Sequence, residues 1–134
     1  MSKFDIRDFK GVIPAVLTVF DKNEEIDEKG MREVISYLID KGVDGLYLTG
    51  STGEGFTMSS EERKRVVEIV IDENKGRVPV VVHVGAIGTK LSIDLAKHAE
   101  MVGADGISSV PPFYWKFNEN QIVKYYTEIA NACS

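Results

Sequence analysis

The sequence predicts an α/β fold in which four strand–helix units build one parallel sheet, and two observations carry this prediction. Short apolar runs alternate with amphipathic stretches of helical period, and the short connections between them favour right-handed crossovers. The pattern Gly-x-Asp-Gly also occurs twice, at residues 42–45 and 103–106, two strand–helix units apart. A repeat in every second unit is typical of a barrel, in which alternate strands fill the same layer of side chains.

The strands are predicted from short apolar runs that the helical stretches separate. The first run, Gly-Val-Ile-Pro-Ala-Val-Leu-Thr, is continuous, as expected for a parallel strand that is buried on both faces. The later runs are shorter and rich in valine, leucine and isoleucine. The predicted strands cover residues 11–18, 45–49, 79–84 and 106–110.

The helices are predicted from apolar side chains spaced at i, i+3, i+4 and i+7. Asp27 is the expected N-cap of the first helix, which ends at Gly42, and Ser59 with Glu62 resembles a capping box for the second. The expected inward-facing side chains are Met31, Val34, Ile35, Leu38 and Ile39 in the first helix; Val66, Val67, Val70 and Ile71 in the second; Leu91, Leu95, Ala99 and Val102 in a third over residues 89–101; and Ile122, Val123, Tyr126 and Ile129 in a fourth over residues 119–131.

Composition indicates a soluble globular protein. The chain has 134 residues, of which 43% are hydrophobic and 28% charged, and no linker divides it, so we expect one domain over residues 1–134. A net charge of −5 argues against nucleic acid or an anionic membrane as the main partner. Residues 1–10 are too charged for a signal peptide and no apolar run approaches the length of a membrane span, so we expect the cytoplasm.

Cysteine and histidine usage predicts no metal site. Cys133 is the single cysteine, so the chain forms no internal disulfide, and no Cys-x-x-Cys pair or Cys/His cluster is present. We therefore expect neither a metal nor another cofactor. His83 lies inside the third predicted strand, where a hydrogen-bonded structural role is expected more often than a catalytic one.

A glycine-rich turn, Gly-Ser-Thr-Gly-Glu-Gly at residues 50–55, lies between the second strand and the second helix. Such a turn can direct several backbone N–H groups to one point, and the hydroxyls of Ser51 and Thr52 add donors there. This arrangement would hold a small anion such as a carboxylate or phosphate. The alternative is a tight turn whose glycines only permit positive φ, and the motif by itself leaves both interpretations open. Glu54 is either an acid or a brace for the loop.

Four motifs resemble the N-acetylneuraminate lyase and dihydrodipicolinate synthase family of Schiff-base aldolases, and the resemblance spans essentially residues 8–131. Ser51, where the other branch has threonine, and the aromatic run Phe-Tyr-Trp make the chain more similar to the sialic-acid lyase branch. The four motifs are Gly-Ser-Thr-Gly-Glu at 50–54, Ser-Glu-Glu-Arg at 60–63, Val-His-Val-Gly at 82–85 and Val-Pro-Pro-Phe-Tyr-Trp at 110–115.

The resemblance implies a TIM barrel with its site at the C-terminal ends of the strands. There, a lysine on strand six condenses with pyruvate or another 2-keto acid, and the iminium accepts electrons as a C–C bond breaks or forms. Residue by residue, it implies that Gly50, Ser51, Thr52 and Gly53 bind the substrate carboxylate. It further implies that Ser51 relays a proton and that Tyr114 extends this relay into the site of a neighbouring subunit.

The chain departs from the family pattern in three ways. A complete barrel takes about 200 to 250 residues, and the family's strand-five tyrosine and strand-six lysine have no counterparts here. Lys90 and Lys116 follow strands but match neither position, and Val19 stands where the family usually has proline. We therefore expect an N-terminal half that is inactive by itself.

A half-barrel would have two free edges and an apolar concave face, which are liabilities in water. We expect two copies to pair as a dimer that rebuilds an eight-stranded barrel. The alternative fold is an open doubly wound sheet. The alternative functions are a non-catalytic self-assembling module and a flavodoxin-like anion-binding domain.

Overall fold

Helices and strands alternate along the chain in the computed structural model, which describes residues 4–133. Three predicted strands and all four helices are confirmed, although each strand is shorter than expected. Within residues 4–133, no helix has the length and hydrophobicity needed to span a lipid bilayer. After a short 3-10 helix at Ile6–Asp8, the elements are α1 (Glu28–Asp40), β1 (Leu46–Leu48), α2 (Ser60–Asn74), β2 (Val80–His83), α3 (Thr89–Val102), β3 (Gly106–Ser108) and α4 (Glu119–Ala130).

The first predicted strand, residues 11–18, runs beside β1 but forms only one isolated parallel bridge, between Ala15 and Tyr47. Tyr47 N donates to Pro14 O at 3.0 Å and Val16 N donates to Tyr47 O at 2.9 Å, as in a parallel ladder. Pro14 has no N–H, so the ladder cannot continue regularly toward the N-terminus. The prediction of a regular strand over residues 11–18 is therefore wrong, although this first segment occupies the expected place in the sheet.

The sheet is parallel and its order, β1-β2-β3, follows the order of the chain. Tyr47 pairs with Val81, and His83 pairs with Ser108. Consecutive helices pack against one another, so they cover one face of the sheet. An open doubly wound sheet needs a reversal of strand order and helices on both faces, so that alternative is wrong. The observed arrangement is that of half a barrel.

The hydrophobic core lies between the sheet and the helices. Leu46 and Leu48 are buried against the helices, whereas Tyr47 between them is half-buried on the opposite, concave face. Two predicted helix starts are confirmed: Asp27 Oδ1 accepts from Gly30 N in α1, and α2 has its capping box. The buried apolar side chains are Val16, Met31, Ile35, Leu46, Leu48, Val66, Val67, Ile69, Val70, Val80, Val82, Val84, Leu95, Ala96, Ala99, Tyr125 and Ile129.

The predicted inner faces of α3 and α4 are partly wrong. Leu91 is 51% exposed, whereas the neighbouring Ser92 is fully buried. In α4, Val123 is 62% exposed and Tyr126 is 39% exposed, whereas Tyr125 is buried. The hydroxyl of Tyr125 lies 2.8 Å from Ser92 Oγ, so a buried polar contact between the two helices decides which faces turn inward.

The two Gly-x-Asp-Gly motifs have the same structure. Asp44 N donates to Val12 O at 2.8 Å, and Val12 N donates to Asp44 Oδ2 at 2.7 Å. Asp105 N donates to Val80 O at 3.0 Å, and Val80 N donates to Asp105 Oδ2 at 2.9 Å. The first glycine of each motif has a φ of +81° or +95°, which ends the preceding helix. We call each pair, Asp44 with Val12 and Asp105 with Val80, an aspartate clasp.

Candidate functional site

The glycine-rich loop, residues 50–55, leaves the C-terminal end of β1 through Thr49. This threonine is buried and takes a φ of +54°, which is uncommon for a residue other than glycine. Its Oγ1 contacts Leu48 O at 2.8 Å and His83 O at 2.9 Å. The start of the loop is therefore anchored to the ends of both β1 and β2.

Hydrogen bonds turn the loop carbonyls inward. Gly55 N donates to Gly50 O at 3.0 Å, and Glu54 N donates to Ser51 O at 3.1 Å. A third loop carbonyl, that of Gly53, accepts a hydrogen bond at 2.7 Å from Thr18 Oγ1, which belongs to the first segment. The carbonyls of Gly50, Ser51 and Gly53 thus all accept hydrogen bonds from within the fold.

The amide groups of the same loop show the opposite pattern. Among the described residues, the N–H groups of Ser51, Thr52 and Gly53 donate to no protein acceptor, and the two hydroxyls make no hydrogen bond. The side chains of Ser51 and Thr52 are exposed. An anion-binding loop requires several consecutive N–H groups that are free to donate, while its neighbouring carbonyls are already hydrogen-bonded. Residues 51–53 have this property.

The glycines of the loop serve close packing rather than positive φ, because Gly50, Gly53 and Gly55 all lie outside the left-handed region. A Cβ on Gly53 would lie 2.7 Å from Val16 O, and one on Gly55 would overlap Thr49 O. The interpretation in which these glycines only permit positive φ is therefore wrong. Their role is to let the loop lie directly against the backbone beneath it.

His83 lies beside this loop at the end of β2. Its Nε2 accepts from Val110 N at 3.2 Å, and its ring meets Phe56 edge to face with centroids 5.4 Å apart. Burial, together with the nearby charge of Arg63, holds the pKa of His83 below its ordinary value of 6.5. The imidazole is therefore neutral near pH 7, and its Nε2 has the expected hydrogen bond, whereas its buried Nδ1 has no partner within residues 4–133.

Arg63 is a buried residue that sequence reasoning missed. Its guanidinium donates to His83 O at 2.6 Å and to Gly85 O at 3.0 Å, which fixes the turn that follows β2. A signal was present in the sequence, because Arg63 shares the inward stripe of α2 with Val66, Val67 and Val70. A charged residue on such a stripe is expected to find acceptors inside the fold.

Tyr114 is not joined to Ser51 within one chain. Its side chain is 81% exposed, its φ is +80°, and its ring lies 4.2 Å from that of Trp115. It makes no hydrogen bond with the residues that the structure describes. Lys90 and Lys116 are both exposed, so neither lies in the desolvated surroundings that a Schiff-base lysine needs.

A groove of about 390 Å³ beside the loop is lined by the acidic residues Glu24, Glu54 and Glu62. Glu62 is engaged in the capping box of α2, and in residues 4–133 no group of three or more His, Cys, Asp or Glu side chains could hold a metal ion. The carbonyl of Glu54, and not its carboxylate, braces the loop, because it accepts from Thr57 N and Thr57 Oγ1.

The fold defines a class of protein: half of a parallel α/β barrel, in which a loop with unpaired backbone N–H groups follows the C-terminal end of β1. A model of the dihydrodipicolinate synthetase family matches residues 8–134. The chain belongs to this family. The match covers nearly the whole sequence, so the family assignment applies to all of the elements from α1 to α4.

The relatives that the chain matches include several N-acetylneuraminate lyases. The enzyme of Clostridium perfringens (strain SM101 / Type A) is 48% identical over 124 residues, which are 92% of this chain and 43% of the relative. That of Haemophilus influenzae is 43% identical over 125 residues, again 92% of this chain and 43% of the relative. The chain thus spans less than half the length of these curated relatives.

Solved structures give the same result. CdNal from Clostridium difficile, in complex with mannosamine, superposes with a TM-score of 0.92 at 44% identity, over 94% of this chain and 44% of that chain. A prophage protein of the dihydrodipicolinic acid synthase family from E. coli K12, in complex with pyruvate, gives 0.91 at 39% identity, over 92% and 42%. The described fold is therefore that of somewhat less than half of each of these proteins.

Proposed function

We propose that this chain is the N-terminal half of an N-acetylneuraminate lyase-like Schiff-base lyase that acts on pyruvate-type 2-keto acids. The observation that carries the proposal is the set of unpaired amides at Ser51, Thr52 and Gly53, in a chain whose relatives include N-acetylneuraminate lyases. Three donors on consecutive residues suit the two oxygens of a carboxylate. The complex of one related structure with pyruvate supports this substrate class.

In this proposal the loop orients the substrate. The amides of residues 51–53 and the Thr52 hydroxyl hold the carboxylate, which fixes the adjacent keto carbon for attack by an amine. The hydroxyl of Ser51 moves a proton to or from the substrate, and Tyr114 serves the same relay in a neighbouring subunit. A loop that its own hydrogen bonds hold in place would need little rearrangement on binding, which supports this role.

The reacting amine belongs to the other half of the barrel. A lysine there would displace the keto oxygen as water, and the resulting iminium would take up the electron pair of the C–C bond as it breaks. Lys90 and Lys116 are exposed and supply no substitute. We therefore propose that the 134-residue chain binds 2-keto acids but does not cleave them alone.

Reductive trapping tests whether the reacting amine lies on the other half of the barrel. The chain is incubated with pyruvate and borohydride, alone and with the separately produced C-terminal half of the Clostridium perfringens lyase, and each polypeptide is weighed by mass spectrometry. We expect a pyruvyl adduct on the added half only. A stoichiometric adduct on one lysine of this chain would overturn the proposal, with Lys116 or Lys90 as the first position to map.

A second proposal concerns self-association, and a groove at the free edge of the sheet favours it. This edge groove has a volume of about 310 Å³ and lies between β3 and α4, where the next strand–helix unit of a barrel would pack. We propose that the first segment and α1 of a second copy cover it, so that two chains close one barrel. The edge groove is lined by Ile107, Ser108, Ser109, Tyr126, Ile129, Ala130 and Cys133.

A further inference from the structure

We propose that Thr18 is a positioning residue for the carboxylate-binding loop. The inference rests on the proposed function, because it explains how the fold directs the loop amides toward a substrate carboxylate. Thr18 does not touch the substrate in this account. It acts through the carbonyl of Gly53, to which its hydroxyl donates at 2.7 Å.

The contact is buried and spans distant parts of the chain. Thr18 is 8% exposed and lies at the end of the first segment, on the same side as the buried Val16. Within residues 4–133, it is the only side chain from another segment that makes a hydrogen bond to residues 50–55. The remaining bonds to loop carbonyls come from residues 54–57.

Peptide planarity transmits this contact to the open side of the loop. The C=O of Gly53 and the N–H of Glu54 belong to one planar group and point in opposite directions. Thr18 holds that C=O, and the N–H donates to Ser51 O at 3.1 Å. Ser51 O in turn shares a plane with the N–H of Thr52. Holding this oxygen inward therefore turns the Thr52 N–H outward, toward the position of the carboxylate.

The backbone on both sides of Thr18 is itself anchored. Val16 N donates to Tyr47 O at 2.9 Å, and Asp27 N donates to Val19 O at 2.9 Å. Val19 N also lies 3.2 Å from Met31 Sδ, a contact that a proline at this position would lack. Thr18 is thus held between β1 and the start of α1, which gives its hydroxyl a fixed place from which to donate.

The test compares Thr18→Val, which keeps the shape but removes the hydroxyl, with Thr18→Ser, which keeps the hydroxyl. Pyruvate is titrated into each 134-residue chain, and its dissociation constant is read from the NMR amide shifts of residues 51–53. We expect Thr18→Val to weaken binding about fivefold, the effect of one hydrogen bond, and Thr18→Ser to restore it to within about twofold. Thr18→Cys, with a weak donor of similar size, replaces Thr18→Val should that variant not fold.

The outcomes separate this inference from the proposed function. If pyruvate leaves the amides of residues 51–53 unshifted in the unsubstituted chain, the proposed function fails. If the unsubstituted chain binds and Thr18→Val binds equally well, the role of Thr18 is overturned. A lower unfolding midpoint with an unchanged dissociation constant has the same meaning, because it shows a contribution to stability only.

Discussion

At the scale of single residues, the loop owes its shape to the glycines that allow main chain to touch main chain. Gly53 and Gly55 lie against Val16 O and Thr49 O at distances that leave no room for a methyl group. Neither uses a positive φ, whereas Thr49 and Glu54, which are not glycines, do. The strained backbone therefore lies at Thr49 and Glu54, whereas the glycines allow the close approach of one main-chain segment to another.

Substitution of Gly55 by alanine should displace the loop. The new Cβ would overlap the backbone oxygen of Thr49, which has little freedom to move, so we expect a loss of about 2 kcal/mol or more in the free energy of unfolding. Urea denaturation measures it. Gly88→Ala is the matched control, because its Cβ would lie 3.9 Å from Leu91 and the expected loss is below about 1 kcal/mol. Equal losses in the two variants would contradict the argument.

His83 gives a prediction about pH. Its pKa in the folded state lies below 6.5, so as the pH falls through about 6.5 the unfolded chain takes up a proton that the folded chain does not. The free energy of unfolding should therefore decrease as the pH falls from about 6.5 toward the folded-state pKa. His83→Gln, which keeps an acceptor but does not titrate, should weaken this dependence.

The direct measurement is the NMR titration of the His83 imidazole in the folded chain. We expect its signals to move only below pH 6.5, because burial and the charge of Arg63 both disfavour protonation. Signals that titrate at or above pH 6.5 would show that the histidine is not held neutral, and the account of its environment would then be wrong.

At the scale of elements, the sequence predicts helix starts better than helix faces. The capping residues Asp27 and Ser59 act on amides within four positions, so a local pattern was enough to find them. The inner face of α4 depends instead on Tyr125, whose hydroxyl contacts Ser92 on α3. Because Tyr125 and Tyr126 are adjacent, the sequence alone allows either of them to face the core. The contact with Ser92 shows that it is Tyr125.

The aspartate clasps give a matched pair of substitutions. Asp44→Ala and Asp105→Ala remove the acceptor of an amide near the start of the first segment and of β2, respectively, and we expect each to cost about 1 to 2 kcal/mol in the free energy of unfolding. The loss should be larger for Asp105, which is less exposed than Asp44. Asp44→Asn retains an acceptor and should cost less. Chemical denaturation measures the free energy of unfolding of each variant. If the alanine variants are as stable as the unsubstituted chain, the clasps have no structural role.

At the scale of the whole molecule, the strand order and the candidate loop were predictable, whereas the contacts behind the loop were not. Thr18 meets Gly53 across 35 positions and Arg63 meets Gly85 across 22, so no local pattern reveals either partner. Pro14 was visible in the sequence, but its effect depends on the register of the first segment against β1. The family motifs therefore pointed to the loop, and the packed fold was needed to show which distant residues contact it and its neighbours.

Self-association should depend on the open face of the sheet. Val16 is buried against the helices, so a charge there would disrupt the core, whereas Leu17 is 59% exposed. Leu17→Glu should therefore shift the mass measured by light scattering from dimer to monomer, because it places a charge in an interface of roughly 2,000 Å². Met101→Glu, at a 75% exposed position on α3 in the helical layer, is the control and should remain dimeric. A well-folded monomer at high micromolar concentration in the unsubstituted chain would refute the dimer.

The aspartate clasps have a consequence for how such a chain can grow. Each clasp joins an aspartate to the main chain of the adjacent strand, so it does not depend on the side chain present there. A DNA segment that encodes two strand–helix units therefore also encodes the clasp between the two strands of that pair when it is duplicated. Two copies of this chain in a closed ring would carry four such joints, one for each quarter of the circle. Each added pair of units would then hold its own two strands together, whereas the boundary between pairs, such as that of β1 with β2, has no clasp in the described part of the chain and is joined by the ladder from Leu46 N to Pro79 O.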